Sequence, residues 1–255
     1  MATSASIQLV RNATLVINYA GKKILVDPML MPKESFDPLA GKARNPMVDL
    51  PISIEELTKD LDLVLVTHTH PDHFDQVASQ TLDKSIKLFN QPADQEFFQK
   101  EGFTNAETVE ESKVWNGITI HRTGGEHGSG EILKQMGIVS GFVLQAENQP
   151  TLYIVGDSIW IEEIDQAIQK YKPDYIITNS GGAAFPGFES TPILMDEEQT
   201  MALIKDSGEA RVIAVHMDAL DHCRTTRVSL HQKAEELNIG TDKLTIPQDG
   251  EVITL

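Results

Sequence analysis

Between Leu63 and His73 the chain reads Leu-Val-Leu-Val-Thr-His-Thr-His-Pro-Asp-His, an apolar run that ends in three histidines and an aspartate within six residues. The β-branched first half predicts a buried strand. The second half constrains everything around it. Buried imidazoles and carboxylates need polar partners, and packing gives no reason to gather three of the chain's eight histidines here. Residues two apart in extended chain face the same side, so His68 and His70 turn toward one point as the strand ends. Pro71 favours a turned or extended path, after which Asp72 and His73 open a helix. Converging nitrogen and oxygen donors suit zinc or another first-row divalent ion. A histidine-rich surface loop is the competing reading, and it leaves the spacing unexplained.

Four further apolar runs end in polar residues: Lys23-Ile-Leu-Val in Asp27, Leu152-Tyr-Ile-Val-Gly in Asp157, Tyr175-Ile-Ile-Thr in Asn179, and Val212-Ile-Ala-Val in His216. Five such endings predict one shared sheet edge, since sites at the carboxyl ends of strands are usual in α/β folds. Strands are expected at 7–10, 14–18, 23–26, 117–121, 139–144, 151–155, 175–178 and 212–215, with a hairpin-like turn at 18–21. Helices are expected at 73–82, 93–100, 159–171, 197–206 and 229–237. Capping boxes at Ser53/Glu56, Asp196/Gln199 and Ser229/Gln232 mark helix starts. Strands alternating with helices give a layered α/β architecture. The proline- and methionine-rich stretch 28–52 is a long irregular loop, of the kind that forms a lid, a binding loop or a partner contact.

The 255 residues read as a single domain, 1–255, with no linker or repeat. Lys and Arg number 21 against 38 Asp and Glu, a net charge of −17 that disfavours nucleic acid and anionic membranes as partners. The single cysteine, Cys223, forms no internal disulfide, in keeping with the cytoplasm. The N-terminus lacks a basic, apolar leader, and no run approaches the roughly 20 apolar residues of a membrane span. The expectation is a cytoplasmic protein acting on a small molecule, with a homo-oligomer left open.

His68-Thr-His70-Pro-Asp72-His73 resembles the HxHxDH signature of the metallo-β-lactamase fold hydrolases. Asp27, His127 within Gly124-Gly-Glu-His-Gly-Ser-Gly130, Asp157 and His216 match that family's other landmarks in order. The resemblance implies a four-layer αβ/βα sandwich, two facing mixed sheets with outer helices, and a dinuclear metal site at one edge. Carried over residue by residue, His68, His70 and His127 bind one metal, Asp72, His73 and His216 the second, and Asp157 bridges. Two divalent ions are implied, Zn2+ first, with Mn2+ or Fe as alternatives. They would make a metal-bound hydroxide available near neutral pH. Asp72 and Asp157 are the implied catalytic carboxylates. Ile24-Leu-Val-Asp-Pro28, Tyr153-Ile-Val-Gly-Asp-Ser158 and the chain length look most like the UlaG-like (L-ascorbate-6-phosphate lactonase-like) branch, which implies hydrolysis of a small ester-like substrate such as a lactone. The alternatives are a phosphodiesterase or nuclease on the same site, an iron-dependent oxidoreductase, and a non-catalytic binding protein.

Other residues carry two readings each. His121 lies in a strand-like run and reads as structural, leaving His127 as the third-landmark histidine. Asp27 is expected to orient a ligand histidine through its outer nitrogen. His222 and Arg224 are substrate-pocket candidates, and Arg227 offers the same bidentate donors, with surface pairing as the plainer role for both arginines. Residues 180–184 read as a tight turn before an anion cradle. His231 is expected to face solvent. Trp160, Phe185 and Phe36 are core residues or pocket walls.

Overall fold

The computed structural model describes residues 5–255; residues 1–4, part of the stretch read above for a leader, lie outside the described residues. Two seven-stranded mixed sheets face each other. The first runs β14 (Val252–Thr254), β1 (Ser6–Arg11), β2 (Thr14–Tyr19), β3 (Lys22–Val26), β4 (Leu63–Leu65), β5 (Lys87–Asn90) and β6 (Ala106–Thr108). The second runs β13 (Leu244–Thr245), β12 (Arg211–Val215), β11 (Tyr175–Asn179), β10 (Leu152–Ile154), β9 (Gly141–Ala146), β8 (Ile118–Thr123) and β7 (Ser112–Trp115). Strands β3 to β6 are parallel, as are β10 to β13, and the remaining pairs in each sheet are antiparallel.

Strand periodicity explains the continuous apolar runs. One face of β1 to β4 (Ile7, Leu9, Leu15, Ile17, Ile24, Val26, Leu63, Leu65) meets Ile118, Ile120, Phe142, Leu144, Ile154, Ile177 and Ile213 of the other sheet. The alternate residues of the first sheet, including Leu25, Val64 and Leu88, pack outward on Leu57 of α1 (Ile54–Thr58), Ala78 of α2 (Gln76–Thr81) and Phe98 of α3 (Gln95–Lys100). Those of the second sheet, Tyr153, Ile176, Val212 and Ala214, pack on α5 (Glu162–Tyr171), α6 (Glu197–Asp206) and α7 (Arg227–Glu236). Strands covered on both faces have no polar side to alternate with. The architecture is the αβ/βα sandwich.

Several boundaries differ from the sequence expectation. Helix α2 starts at Gln76 because Asp75 caps Ala78 N–H at 2.7 Å, while the His73 and Phe74 N–H groups turn back to the His70 carbonyl at 2.9 Å. Helix α5 starts at Glu162, not at 159. Thr226 and Ser229 form the capping box of α7, three residues ahead of the expected Ser229/Gln232 pair. Strands β5, β6, β7, β13 and β14 and the short helix α4 (Gly130–Met136) were not expected.

The 28–52 stretch has no helix or regular strand, yet it is held in place. The fully buried Arg11 guanidinium donates to the carbonyls of Met29 (3.0 Å), Met31 (2.8 Å) and Val48 (3.0 Å). Asp221 gathers its middle: the carboxylate accepts from the backbone N–H of Leu39, Ala40, Lys42 and Ala43 and from Asn45 Nδ2, at 2.8–3.3 Å. Backbone polar groups of a long loop must be satisfied somewhere, and these two side chains take a large share of them.

Candidate metal centre

Strands β3, β4, β10, β11 and β12 deliver their carboxyl ends to one edge of the sandwich. Asp27, the His68–His73 turn, Asp157, Asn179 and His216 follow those ends, and the loop before α4 adds His127. The turns are sharp. Asp27 (φ 44°) and His216 (φ 65°) adopt the left-handed conformation that non-glycine residues rarely keep without compensation. Gly156 (φ 75°) precedes Asp157, and a Cβ there would sit 2.7 Å from the Ser140 carbonyl oxygen, so only glycine brings β10 so close.

The seven carried-over residues form two adjacent groups, His68 with His70 and His127, and Asp72 with His73, Asp157 and His216. Within each group the ligand atoms all lie within 4.8 Å of one another. Asp157 Oδ2 lies 3.1 Å from His73 Nε2, 3.5 Å from His127 Nε2 and 3.9 Å from His68 Nε2, and Oδ1 lies 3.7 Å from His216 Nε2. One carboxylate therefore reaches both groups. His216 Nε2 is also 3.2 Å from Asp72 Oδ2.

Two features test whether a cation fits. His68 Nε2 is buried with no hydrogen-bond partner, although it faces the centre of the cluster. His73 and His216 turn Nε2 toward Nε2 at 3.3 Å, an arrangement that two lone pairs resist without a cation or proton between them. The outer nitrogens are occupied instead. His73 Nδ1 meets Asp27 Oδ2 at 2.8 Å, His127 Nδ1 the Ile193 carbonyl at 2.7 Å, and His68 Nδ1 the Thr67 hydroxyl at 3.1 Å. His216 Nδ1 lies 3.7 Å from Cys223 Sγ. Ligand histidines ordinarily anchor the second nitrogen in this way. The donor set fits divalent metal.

Asp27 touches none of the inward Nε2 atoms. It orders the turn, accepting from Thr67 N–H (2.8 Å) and Thr67 Oγ1 (2.7 Å) besides His73. Asn179, expected at the shared edge but given no role, donates to Asp157 Oδ1 at 2.6 Å. Asn12 donates to the Asp72 carbonyl at 3.3 Å.

Electrostatics tie the cluster together. Burial alone would raise the Asp157 carboxyl, but the imidazoles of His73, His216 and His127 hold it well below the ordinary range. Burial opposes ionisation of Asp72 too, and His73 and His216 outweigh it. Burial would lower His73, yet Asp157, Asp72 and Asp27 push it up to about 10 without metal. Burial keeps His68 well below 6.5.

The cluster opens into a cavity of about 710 Å3. Met31, Phe36, Leu39, Phe74, Phe97, Met136, Phe185 and Ile193 give it a largely apolar surface, and its polar lining comprises Thr69, Asp75, Gln76, Ser79, Gln80 and Glu101 besides His70, Asp72, His127, Asp157 and His222. None of its lining residues is a lysine or arginine. Arg224 is exposed, donates to the Glu189 carbonyl and is not among the residues that line the cavity. Arg227 bonds to Asp218, Asp249 and the Pro247 carbonyl, also away from the cavity. His121 packs its ring on Tyr171, 4.9 Å between centroids. His231 is exposed, and Trp160 packs against the core under α5 and α6. The 180–184 turn exists for close packing, since a Cβ on Gly181 would collide with the His216 carbonyl.

The beta-lactamase superfamily domain model matches residues 22–217. The UPF0173 protein YddR of Bacillus subtilis (strain 168) is 37% identical, over 98% of this chain and 99% of that protein. The crystal structure of a possible metal-dependent hydrolase from Veillonella parvula DSM 2008 superposes with a TM-score of 0.95 at 35% identity, covering 99% of this chain and 100% of that one. An isothiocyanate hydrolase from Delia radicum gut bacteria superposes with a TM-score of 0.91 at 36% identity, covering 98% and 99%.

Proposed function

The chain belongs to the metallo-β-lactamase superfamily and, within it, to the UPF0173 metal-dependent hydrolases, and on that premise we propose that it uses two divalent ions to hydrolyse a small, uncharged, largely apolar electrophile. The observation that carries this reading is a seven-residue donor cluster opening into an apolar cavity that no lysine or arginine lines. His68, His70 and His127 would hold one ion, and Asp72, His73 and His216 the other, with Asp157 within reach of both groups. Bound there, divalent ions would supply Lewis acidity and lower the pKa of a water enough to make hydroxide available near neutral pH.

The chain's own residues do the rest. Asn179 and the imidazoles keep Asp157 ionised and fixed in direction. Asp72, in the cavity wall, is placed to pass a proton between the attacking water and the substrate's heteroatom. The apolar wall excludes bulk water and strengthens each charge interaction inside.

An isothiocyanate is the first substrate to test, because the gut-bacterial relative is described as an isothiocyanate hydrolase. Its N=C=S carbon is electrophilic and the group is uncharged, which suits this wall. A neutral member of the lactone class implied by the UlaG-like resemblance satisfies the same requirements. A phosphate group carried away from the metal cluster suits this wall less well, since Asp75 and Glu101 line it and no lysine or arginine does.

The test supplies zinc-loaded protein with benzyl isothiocyanate, a neutral lactone and a bis(aryl) phosphate. Hydrolysis of either neutral substrate, abolished by chelation, is expected. Cleavage of the phosphodiester alone would overturn the substrate class.

A further inference from the structure

Four of the five candidate ligand histidines rest their outer nitrogen on a neighbour: His73 on Asp27, His127 on the Ile193 carbonyl, His68 on Thr67 and His216 on Cys223. No such anchor is present for the half-buried His70 among the described residues. Its direction therefore depends on the main chain that carries it. On one side the His70 carbonyl accepts from the His73 and Phe74 N–H groups, both at 2.9 Å. On the other side the preceding residue, Thr69, donates its hydroxyl to Asp94 Oδ1 at 3.0 Å.

Asp94 is a buried carboxylate that ends a 3-10 turn, Pro92–Asp94, between β5 and α3. It stands outside the donor cluster. Its second oxygen accepts from Gln91 Nε2 at 2.9 Å. Gln91 is itself fully buried and fixed by two further bonds: Nε2 donates to the Ile138 carbonyl at 2.7 Å, and Oε1 accepts from Ser140 Oγ at 2.9 Å. Arg122 of β8 donates to the same Ser140 hydroxyl at 3.3 Å. This chain of bonds starts between His68 and His70, on the first sheet, and ends on β8 and the segment leading into β9, on the second. His127 hangs from the loop that follows β8. A buried polar network whose members are all paired favours a single arrangement of the elements it joins.

We infer that Asp94 is a positioning residue: through Thr69 on one side and Gln91 on the other, it sets the His68–His70 turn against the His127 loop and so fixes the three-imidazole half of the metal centre. The inference rests on the proposed reading of the cluster as a two-ion centre. The other half is ordered by different groups, since Asp27 holds His73 and Asn179 holds Asp157. The two halves therefore respond unequally when the Thr69–Asp94 link is cut. A metal site whose ligands are held less precisely binds its ion less tightly.

The experiment uses the full-length protein loaded with 113Cd2+, whose NMR shift reports the donor atoms and geometry around each ion. The wild type is expected to give two resonances, and the one missing from His127→Ala identifies the three-imidazole half. Thr69→Val keeps the shape of the side chain and removes the hydroxyl. It is expected to displace that resonance more than the other and to weaken that ion about 10-fold in competition with a chromogenic chelator, the lower end of the range for a residue behind a ligand. Asp94→Ala is expected to do the same. Asp94→Asn is the rescue: its amide oxygen accepts from Gln91 and its NH2 donates to the Thr69 hydroxyl oxygen, so resonance and affinity return close to wild type. Wild-type resonances and affinity in Thr69→Val overturn the inference. Equal displacement of both resonances, which a general loss of structure gives, overturns it too. So does an Asp94→Asn variant as impaired as Asp94→Ala, because the charge and not the link would then matter. A wild-type protein that binds fewer than two cadmium ions overturns the two-ion reading beneath it, and the inference with it.

Discussion

Asp221→Asn is the sharpest test of how the 28–52 loop is held. The wild-type carboxylate divides its work: Oδ1 accepts from Leu39 N–H (2.9 Å) and Asn45 Nδ2 (2.8 Å), and Oδ2 from Ala40 (3.1 Å), Lys42 (3.0 Å) and Ala43 (3.3 Å) N–H. An amide keeps the first set and turns its own NH2 toward the second. Burial would raise this carboxyl, but the donors of Asn45, Lys42, Ala40 and Leu39 bring it down to about 2 from 3.8. Losing hydrogen bonds to a charged group costs about 1.5–3 kcal/mol. For a chain of this size about 2 kcal/mol lowers Tm by roughly 4–8 °C. The folded pKa is depressed, so the contribution is complete above about pH 4 and fades as pH falls toward 2. Urea unfolding at pH 7 measures it. KM for the substrate should rise as well, because Phe36 and Leu39 of the same loop line the cavity. A variant within 0.5 kcal/mol of wild type, with KM unchanged, would refute the latch.

Asp27→Asn is expected to weaken metal binding about 10–100-fold, the usual effect of removing a carboxylate behind a ligand histidine; competition with a chromogenic chelator measures it. His127→Ala should lose one metal equivalent per chain while His121→Ala, whose ring packs on Tyr171, keeps its metal; elemental analysis distinguishes them. Metal removal should expose a pH dependence. In metal-free protein the His73 pKa is raised to about 10, so its contribution is full below about 6.5 and is lost as pH rises through 10. Thermal scans at pH 7 and pH 10 should therefore show a larger drop for metal-free than for metal-loaded protein.

The core and the metal-bearing strand ends were legible because both follow from periodicity. Strands such as Leu63–Leu65 are covered on both faces and so read as unbroken apolar runs that stop where the polar residues begin. Two of the unexpected strands lie at sheet edges, where burial is partial: Ser112–Trp115 alternates exposed and half-buried residues, and Val252–Thr254 pairs with Ser6–Gln8 at the other end of the chain. Helix Gly130–Met136 is a short element that starts at a left-handed glycine and ends at Gly137, and its glycines read as loop. Asn179 was legible as one of the polar strand ends, but its role, like that of Asp221, was not. An amide after a strand and an acid in a loop are ordinary in sequence; only the tertiary arrangement sets them on Asp157 and on the 39–45 backbone. Arg224 looked useful because a guanidinium suits anionic substrates, yet its donors go to a neighbouring carbonyl.

The central claim is that seven side chains from four segments hold two divalent ions at the mouth of a largely apolar cavity. Metal analysis of protein purified without added metal or chelator, paired with re-addition of zinc to the stripped protein, tests it most directly. The account predicts two equivalents per chain, restored on re-addition together with hydrolysis of a neutral substrate. A folded protein that takes up no metal would contradict it.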